Sequence, residues 1–109
     1  MLTDKDRQLY ERQATVLAAL ASPTRLAIAA FLEGGEQCVH DIATHVAEER
    51  SNVSRHLASL LRAGVVGARK EGVRVFYSLK TPCVLQVLGC VSNVLHTNLA
   101  EDVEVLRGA

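Results

Sequence analysis

The sequence has no tryptophan and only four aromatic residues, although nearly half of its 109 residues are apolar. Its core must therefore be built from Ala, Leu and Val, a composition that favours packed helices. No run reaches the ~18 uninterrupted apolar residues of a membrane-spanning helix, and the charged residues 1–7 lack the apolar stretch of a signal peptide. We therefore expect one cytoplasmic domain over residues 1–109, with no membrane partner.

Cysteine is scarce as well, and the chain has three: Cys38, Cys83 and Cys90. An odd number argues against a closed framework of structural disulfides, and cytoplasmic thiols would be reduced. The sequence also lacks a Gly-rich phosphate loop and paired carboxylates in a plausible pocket. The only candidate pair of nucleophile and base is Cys38 near His40. Because the sequence offers nothing else for catalysis, we predict that the protein is not an enzyme.

Net charge is zero over the whole chain, but the charges are unevenly distributed. Residues 50–80 contain seven basic side chains and one acidic one, whereas residues 1–49 contain four basic and eight acidic ones. Such a positive segment is typical of a surface that binds a polyanion. The alternative is a solvated basic face, but most soluble domains intersperse the two signs more evenly.

Residues 51–64, inside this basic segment, predict an amphipathic helix that ends before Gly64. Its apolar face has four residues at helical spacing: Val53, Leu57, Leu60 and Leu61. Its polar face carries side chains that can reach phosphates and base edges in a DNA major groove: Ser51, Asn52, Ser54, Arg55, His56 and Ser59. We interpret the stretch as a DNA recognition helix, with an ordinary surface helix as the alternative.

Other elements are predicted around this helix. The first helix is expected over residues 4–21. A second begins at Pro23, with Ser22 as its N-cap, and stops at residues 34–35, and a third covers residues 40–47. The last of these and the recognition helix form a helix-turn-helix. Strands at residues 65–70 and 73–79 follow, with a turn at residues 71–72. This hairpin is a wing that can follow the DNA backbone or minor groove through its basic residues: Arg69, Lys70 and Arg74.

A strongly apolar helix, with Thr81 as N-cap, is predicted at the end of the sequence. Its apolar stripe is wide enough to need a partner, and with the first helix it is the predicted dimer interface. The expected fold is mainly α with a small β-hairpin: a winged helix-turn-helix of order α-α-α-α-β-β-α that dimerises through its first and last helices. A two-fold dimer places two recognition helices about one DNA turn apart, which implies a near-palindromic double-stranded operator.

Four stretches together resemble the ArsR/SmtB family of small winged-helix repressors: residues 19–26, 51–57, 60–66 and 69–79. The resemblance implies a homodimeric, cytosolic repressor without a constitutive cofactor, which binds its operator when ligand-free and releases it when an inducer binds. It also places five residues at DNA-reading positions: Ser51, Asn52, Ser54, Arg55 and His56. For His56, the alternative is a hydrogen bond within the fold.

The family's inducers are metal ions, arsenite-like metalloids, or oxidants and reactive sulfur species that act on cysteine pairs. Its metalloid and soft-metal sensors often carry Cys-x-Cys where this chain has Cys38-Val39-His40. A second family site uses spaced Asp and His residues on the last helix. This chain has only part of that set, at residues 96–102, so a zinc or cobalt site of that type is not expected.

Two sensing mechanisms therefore stay open. In the first, Cys38, Cys83 and Cys90 gather around As(III) or a soft metal ion, within or across protomers, with His40 as an additional candidate ligand. In the second, Cys38 forms a reversible disulfide or polysulfide bridge with one of the other two cysteines. Cys83 and Cys90 cannot bridge each other while both are helical, because seven residues rise ~10.5 Å and a disulfide needs Cα atoms within ~7 Å.

Two further alternatives involve no small molecule: a constitutive DNA-binding repressor, and a winged-helix module used for protein–protein contact. The second predicts a weakly charged wing and recognition helix. The basic residues Arg55, Arg69, Lys70 and Arg74 argue against it.

Overall fold

The computed structural model describes residues 1–108 and all of their side chains except those at positions 99, 100, 102–104, 106 and 108. Within these residues, five helices and three strands follow one another: α1 Asp4–Leu20, α2 Pro23–Leu32, β1 Gln37–Cys38, α3 Val39–Val46, α4 Arg50–Arg62, β2 Val66–Glu71, β3 Arg74–Leu79 and α5 Val84–Gly108. The order confirms the predicted winged helix-turn-helix and adds the short strand β1.

The first two helices begin at side chains that accept hydrogen bonds from their free N–H groups. Thr3 accepts from the Asp6 N–H at 3.1 Å, and the Asp6 carboxylate accepts from the Thr3 N–H at 3.1 Å. Ser22 accepts from the Arg25 N–H at 3.4 Å, and Pro23 occupies the first position of α2. Both starts agree with the sequence, since these residues are typical N-terminal caps.

The core lies between α2, α3, α4 and the base of the hairpin, and its members are aliphatic: Leu20, Ile28, Ala29, Leu32, Ile42, Ala43, Val53, Leu57, Leu60, Val65 and Val66. From α4 it takes Val53, Leu57 and Leu60, all 0% exposed. Leu61, predicted on the same apolar face, is 43% exposed. It lies about 100° around the helix from Leu60, at the edge of the apolar face, so the core covers it only in part.

Gly64 ends α4 in the conformation that the sequence predicts. Its φ is +81°, and its N–H donates to the Leu61 carbonyl at 3.1 Å. The next N–H, that of Val65, donates to the Leu60 carbonyl at 3.0 Å. This pair of bonds is a Schellman motif, in which a left-handed residue satisfies the last carbonyls of a helix.

We expect Gly64→Ala to lower the free energy of unfolding by about 1–2 kcal/mol, the cost of a left-handed backbone for a residue with Cβ. An added Cβ meets no atom within 4 Å there, so sterics contribute nothing further. The matched control is Gly89→Ala inside α5, where an added Cβ also meets nothing within 4 Å. The control should raise stability by about 0.5–1 kcal/mol. Chemical denaturation measures both, and shifts of the same sign would contradict the assignment.

The sheet has the order β1-β3-β2, with both pairs antiparallel. Glu71 pairs with Arg74, so the hairpin turn is Gly72-Val73, one residue later than predicted, with Gly72 at φ +63°. Strand β1, absent from the sequence-based prediction, pairs Gln37 with Tyr77 and Cys38 with Phe76. It joins the start of α3 to the base of the wing.

The last helix begins later than predicted. It starts at Val84, so Thr81, three residues earlier, is not its N-cap; residues 82–83 form a turn that leads into the helix, in which the Val84 N–H donates to the Thr81 carbonyl at 3.0 Å. Cys83 therefore lies just before α5. Val84 and Leu85 pack partly against the core, while four later residues of α5 are exposed: Val87, Val91, Val94 and Leu95.

The first helix also presents apolar side chains to the surface: Leu9, Tyr10 and Leu17. With α5 extending from the rest, the protomer measures 62 × 40 × 22 Å. Exposed apolar side chains along two helices are typical of an interaction site. By length and composition, no single helix among residues 1–108 could cross a membrane; α1 and α2, bent by 88°, pass that test only when taken together.

Candidate nucleic-acid interface

The buried stripe of α4 determines which of its residues face outward. Because Val53, Leu57 and Leu60 are held in the core, the opposite side carries Ser51, Ser54 and Arg55 in exposed positions. Asn52, His56 and Ser59 flank this side and are half-buried. The Asn52 carbonyl oxygen accepts a hydrogen bond from the Arg55 guanidinium, so these two side chains are oriented together. The structure therefore brings the predicted residues of α4 onto one polar surface.

Arg25 of α2 binds α4 to the end of α1. Its Nε donates to His56 Nδ1 at 3.0 Å, its Nη2 to Ser59 Oγ at 3.1 Å, and its Nη1 to the Ala19 carbonyl at 3.1 Å. His56 thus makes the hydrogen bond within the fold that was the alternative to DNA contact. Since its Nδ1 accepts, the proton of the neutral ring lies on Nε2.

Arg69 of the wing is occupied by carboxylates of its own chain. Its Nε and Nη2 donate to Glu36 at 2.8 and 2.7 Å, and its Nη1 donates to Glu71 at 2.8 Å. Its guanidinium also lies 4.8 Å from the centre of the Phe76 ring. Among the side chains described, the ion pairs are these two of Arg69, and Lys70 and Arg74 are exposed without one. The wing therefore offers Lys70 and Arg74 to an anion more readily than Arg69.

The pair of Arg69 with Glu36 depends on the charge of a carboxylate, so we expect the wing to respond to acid. The hydrogen bond from Arg69 lowers the pKa of Glu36 below its ordinary value of 4.5. A lowered pKa means that the contact is complete above pH 4.5 and is lost as the pH falls through the lowered value. We expect the amide protection factors of β2 and β3, measured by NMR, to fall in that acidic range.

The matching variant is Glu36→Gln, which keeps the shape of the side chain and removes its charge. This variant should lower the amide protection factors of β2 and β3 already at pH 6.5 and make these factors less dependent on pH below 4.5. Glu33→Gln, exposed at the end of α2, is the control and should behave as wild type. Equal protection in Glu36→Gln and wild type at pH 6.5 would show that this pair does not hold the wing.

The three cysteines occupy different environments. Cys38 is buried at the N-cap of α3, whereas Cys83 and Cys90 are exposed at and near the start of α5. Cys38 and His40 line a cleft of about 400 Å³ between α3 and the wing turn, together with Arg50 and Arg74. Within the described part of one protomer, no three His, Cys, Asp or Glu side chains are placed to hold a metal ion. A cluster across two protomers stays a prediction.

Two residues of this surface, Arg25 and Glu36, were not predicted as site residues. Arg25 is the one Lys or Arg between Arg12 and Arg50, in a helix that is apolar from residue 26 onward, which is the pattern that could have drawn attention to it. Nothing in the local sequence of Glu36 indicates its partner, which lies 33 residues away.

Comparison with known proteins gives consistent similarities. A sequence model of the family described as "Bacterial regulatory protein, arsR family" matches residues 22–67. The HTH-type transcriptional regulator Rv0081 of Mycobacterium tuberculosis is 35% identical over 100 residues, which cover 91% of this chain and 88% of that protein. The transcriptional repressor SdpR of Bacillus subtilis is 31% identical over 81 residues, covering 74% and 90%.

Among solved structures, this fold is similar to the homodimeric winged helix-turn-helix DNA-binding domain of Mb0332 from Mycobacterium bovis, a possible ArsR-family transcriptional regulator, solved by NMR. The TM-score is 0.76 at 32% identity, covering 92% of this chain and 93% of that one. The likeness therefore extends well beyond the helix-turn-helix.

Proposed function

Because this chain belongs to the arsR family of bacterial regulatory proteins, we propose that it is a cytoplasmic, homodimeric repressor that binds a near-palindromic operator. The proposal is carried by one observation: α4 is fixed by three fully buried residues and turns Ser51, Ser54 and Arg55 outward together. Short hydroxyls and a guanidinium are the groups that read base edges in a major groove. The family consists of transcriptional regulators rather than enzymes, as the sequence predicts.

In the proposed complex, the first half of α4 lies in the major groove, where Ser51, Asn52, Ser54 and Arg55 contact DNA. His56 presents its Nε2–H on the flank of that surface. Lys70 and Arg74 of the wing contact phosphates or the minor groove. Arg69 acts indirectly, because its bonds to Glu36 and Glu71 hold the wing in shape.

The dimer is proposed from the apolar faces of α1 and α5. Their exposed Leu and Val side chains need cover in water, and the similar Mb0332 domain is homodimeric. The similar protein SdpR is a repressor, which supports the same sign of regulation here.

For the inducer, we propose As(III) or a soft metal ion bound by Cys38, Cys83 and Cys90 across the two protomers, with His40 as an additional candidate. The support is that Cys83 is exposed just before α5 and Cys90 is exposed within it, and α5 is the helix that would form the interface. A partner's thiols can therefore approach them. The second candidate, a disulfide or polysulfide between Cys38 and a cysteine of α5 or its start, uses the same side chains and is distinguished by experiment.

The test is fluorescence anisotropy of reduced, metal-free protein on DNA from its own upstream region. We expect tight, salt-sensitive binding. Near-stoichiometric arsenite should release the DNA from wild type and leave it bound to the Cys38→Ser, Cys83→Ser, Cys90→Ser triple variant. Release by polysulfide but not by arsenite would favour the redox mechanism. If neither arsenite nor polysulfide releases the DNA, the protein would be a constitutive repressor. Failure to bind any duplex at low salt would favour the protein-interaction module.

A further inference from the structure

A groove beside α4 collects positive charge without a carboxylate. It has a volume of about 490 Å³ and lies between α2 and α4. Its polar lining is Arg25, Asn52, Arg55, His56, Ser59 and Arg62. We call it the arginine groove.

Every hydrogen bond that the three arginines make within the described structure goes to a neutral acceptor. Arg25 donates to a carbonyl, an imidazole and a hydroxyl. Arg55 donates to the Asn52 amide oxygen, and Arg62 donates to Ser59 Oγ at 3.3 Å. Arg69 of the wing differs, since it is matched by two carboxylates. The groove therefore has three cationic groups and no counter-ion from the described side chains.

The position of Arg25 makes this imbalance relevant to binding. Its side chain is half-buried, so its guanidinium has lost part of its hydration. Two conditions make a partly desolvated charge more favourable: hydrogen bonds that hold it and an opposite charge that compensates it. The three bonds supply the first condition, and an anion from outside the chain would supply the second.

The spacing of the arginines along α4 also suits a phosphate. Arg55 and Arg62 lie two turns apart on the same side of α4, with Ser59 between them. Guanidinium groups match phosphate oxygens in a bidentate manner, and the Nε2–H of His56 adds a neutral donor. Because Arg25 is tied to α1 and α4 at once, its charge is held in place before the anion arrives.

We propose that the arginine groove binds one phosphate of the DNA backbone, at the edge of the major groove occupied by α4. The inference rests on the proposed DNA-binding function and adds Arg25 and Arg62 to the contact surface. Such a contact carries no sequence information, but it fixes the depth and register of the recognition helix. Arg25 acts mainly as a positioning residue, because it holds His56 and Ser59 of α4 against the end of α1.

The test is the salt dependence of DNA affinity for Arg62→Gln. Arg62 is exposed in the last turn of α4, so the fold should survive the change. Losing one phosphate contact per protomer should make the slope of log K against log salt less negative by about 1.8 per dimer. Raising salt from 50 to 200 mM would then cost the variant about tenfold less affinity than it costs wild type. Affinity for operator and for unrelated duplex should fall by the same factor.

Two further variants control the experiment. Arg107→Gln removes the same charge from the far end of α5 and should keep the wild-type slope. Arg62→Lys restores the charge and should restore the slope. An unchanged slope in Arg62→Gln, or a loss confined to operator DNA, would overturn the phosphate assignment while leaving DNA binding intact.

An experiment with inorganic phosphate tests whether the arginine groove binds the DNA backbone or a free phosphate ion. The DNA-free protein is melted in phosphate and in chloride of equal ionic strength. A higher Tm in phosphate that Arg62→Gln abolishes, combined with an unchanged DNA slope, would make the groove a free-phosphate site and overturn the proposal. If wild type binds no duplex at low salt, the proposed function fails together with the inference.

Discussion

Val91→Glu is expected to make the protein monomeric and to lower its affinity for operator DNA by about 10³-fold or more. Val91 is 49% exposed in the protomer and lies in the middle of the apolar stripe of α5, one turn from Leu88 and from Val94 and Leu95. Two-fold symmetry would bury a carboxylate from each chain in the same apolar interface. A monomer holds one half-site, so it loses the contacts of the second recognition helix.

The control is Asn93→Glu, which adds the same charge on the opposite side of the same helix. It should remain dimeric and bind the operator as wild type does. Sedimentation equilibrium gives the oligomeric state, and anisotropy gives the affinity. A dimeric Val91→Glu protein with wild-type affinity would place the interface elsewhere.

Leu57→Ala is expected to lower the free energy of unfolding by about 3–4 kcal/mol, within the usual range for a leucine truncated in a core. Leu57 is 0% exposed and anchors the centre of α4. A small domain has only about 5–15 kcal/mol of stability in total, so the loss should lower Tm by about 10–20 °C.

Leu61→Ala removes the same atoms from the same helix at a position that is 43% exposed. It should cost less than about 1 kcal/mol. Both variants are unfolded with denaturant at one fixed protein concentration, because dimerisation contributes to apparent stability. Equal costs for the two substitutions would mean that the core described for α4 is wrong.

The sequence predicted those elements whose cause is local. Ser22-Pro23 begins α2, Gly64 ends α4, and the spacing of Val53, Leu57 and Leu60 defines the buried side of the recognition helix. Strand β1 could not be predicted, because two residues are too few to show a hydrophobic alternation. Its existence also depends on pairing with β3 far along the chain. Thr81 was a plausible cap by type, but the chain makes a turn at residues 82–83 before α5 begins.

The candidate site divides in the same way. The outward face of α4 could be predicted because it is the complement of an apolar stripe. Which charged side chains are already paired could not be predicted, because a count of charges along the sequence includes Arg69 among the free cations. Its partner Glu36 is 33 residues away, and the partner of Arg25 on α4, His56, is 31 residues away. Contacts between distant segments thus decide which arginines remain available to DNA.

The pairing of β1 with β3 also has a kinetic consequence for Cys38. It closes a loop that contains α3, α4 and β2, and two residues of β1 together with the ion pair of the adjacent Glu36 with Arg69 hold that closure. A strand of two residues has few hydrogen bonds, so β1 is expected to detach before the core opens. The sulfur of Cys38 becomes reachable in those brief openings. A thiol reagent would therefore label Cys83 and Cys90 in a fast phase and Cys38 in a slow one, and the slow rate would report how often the wing separates from the start of α3.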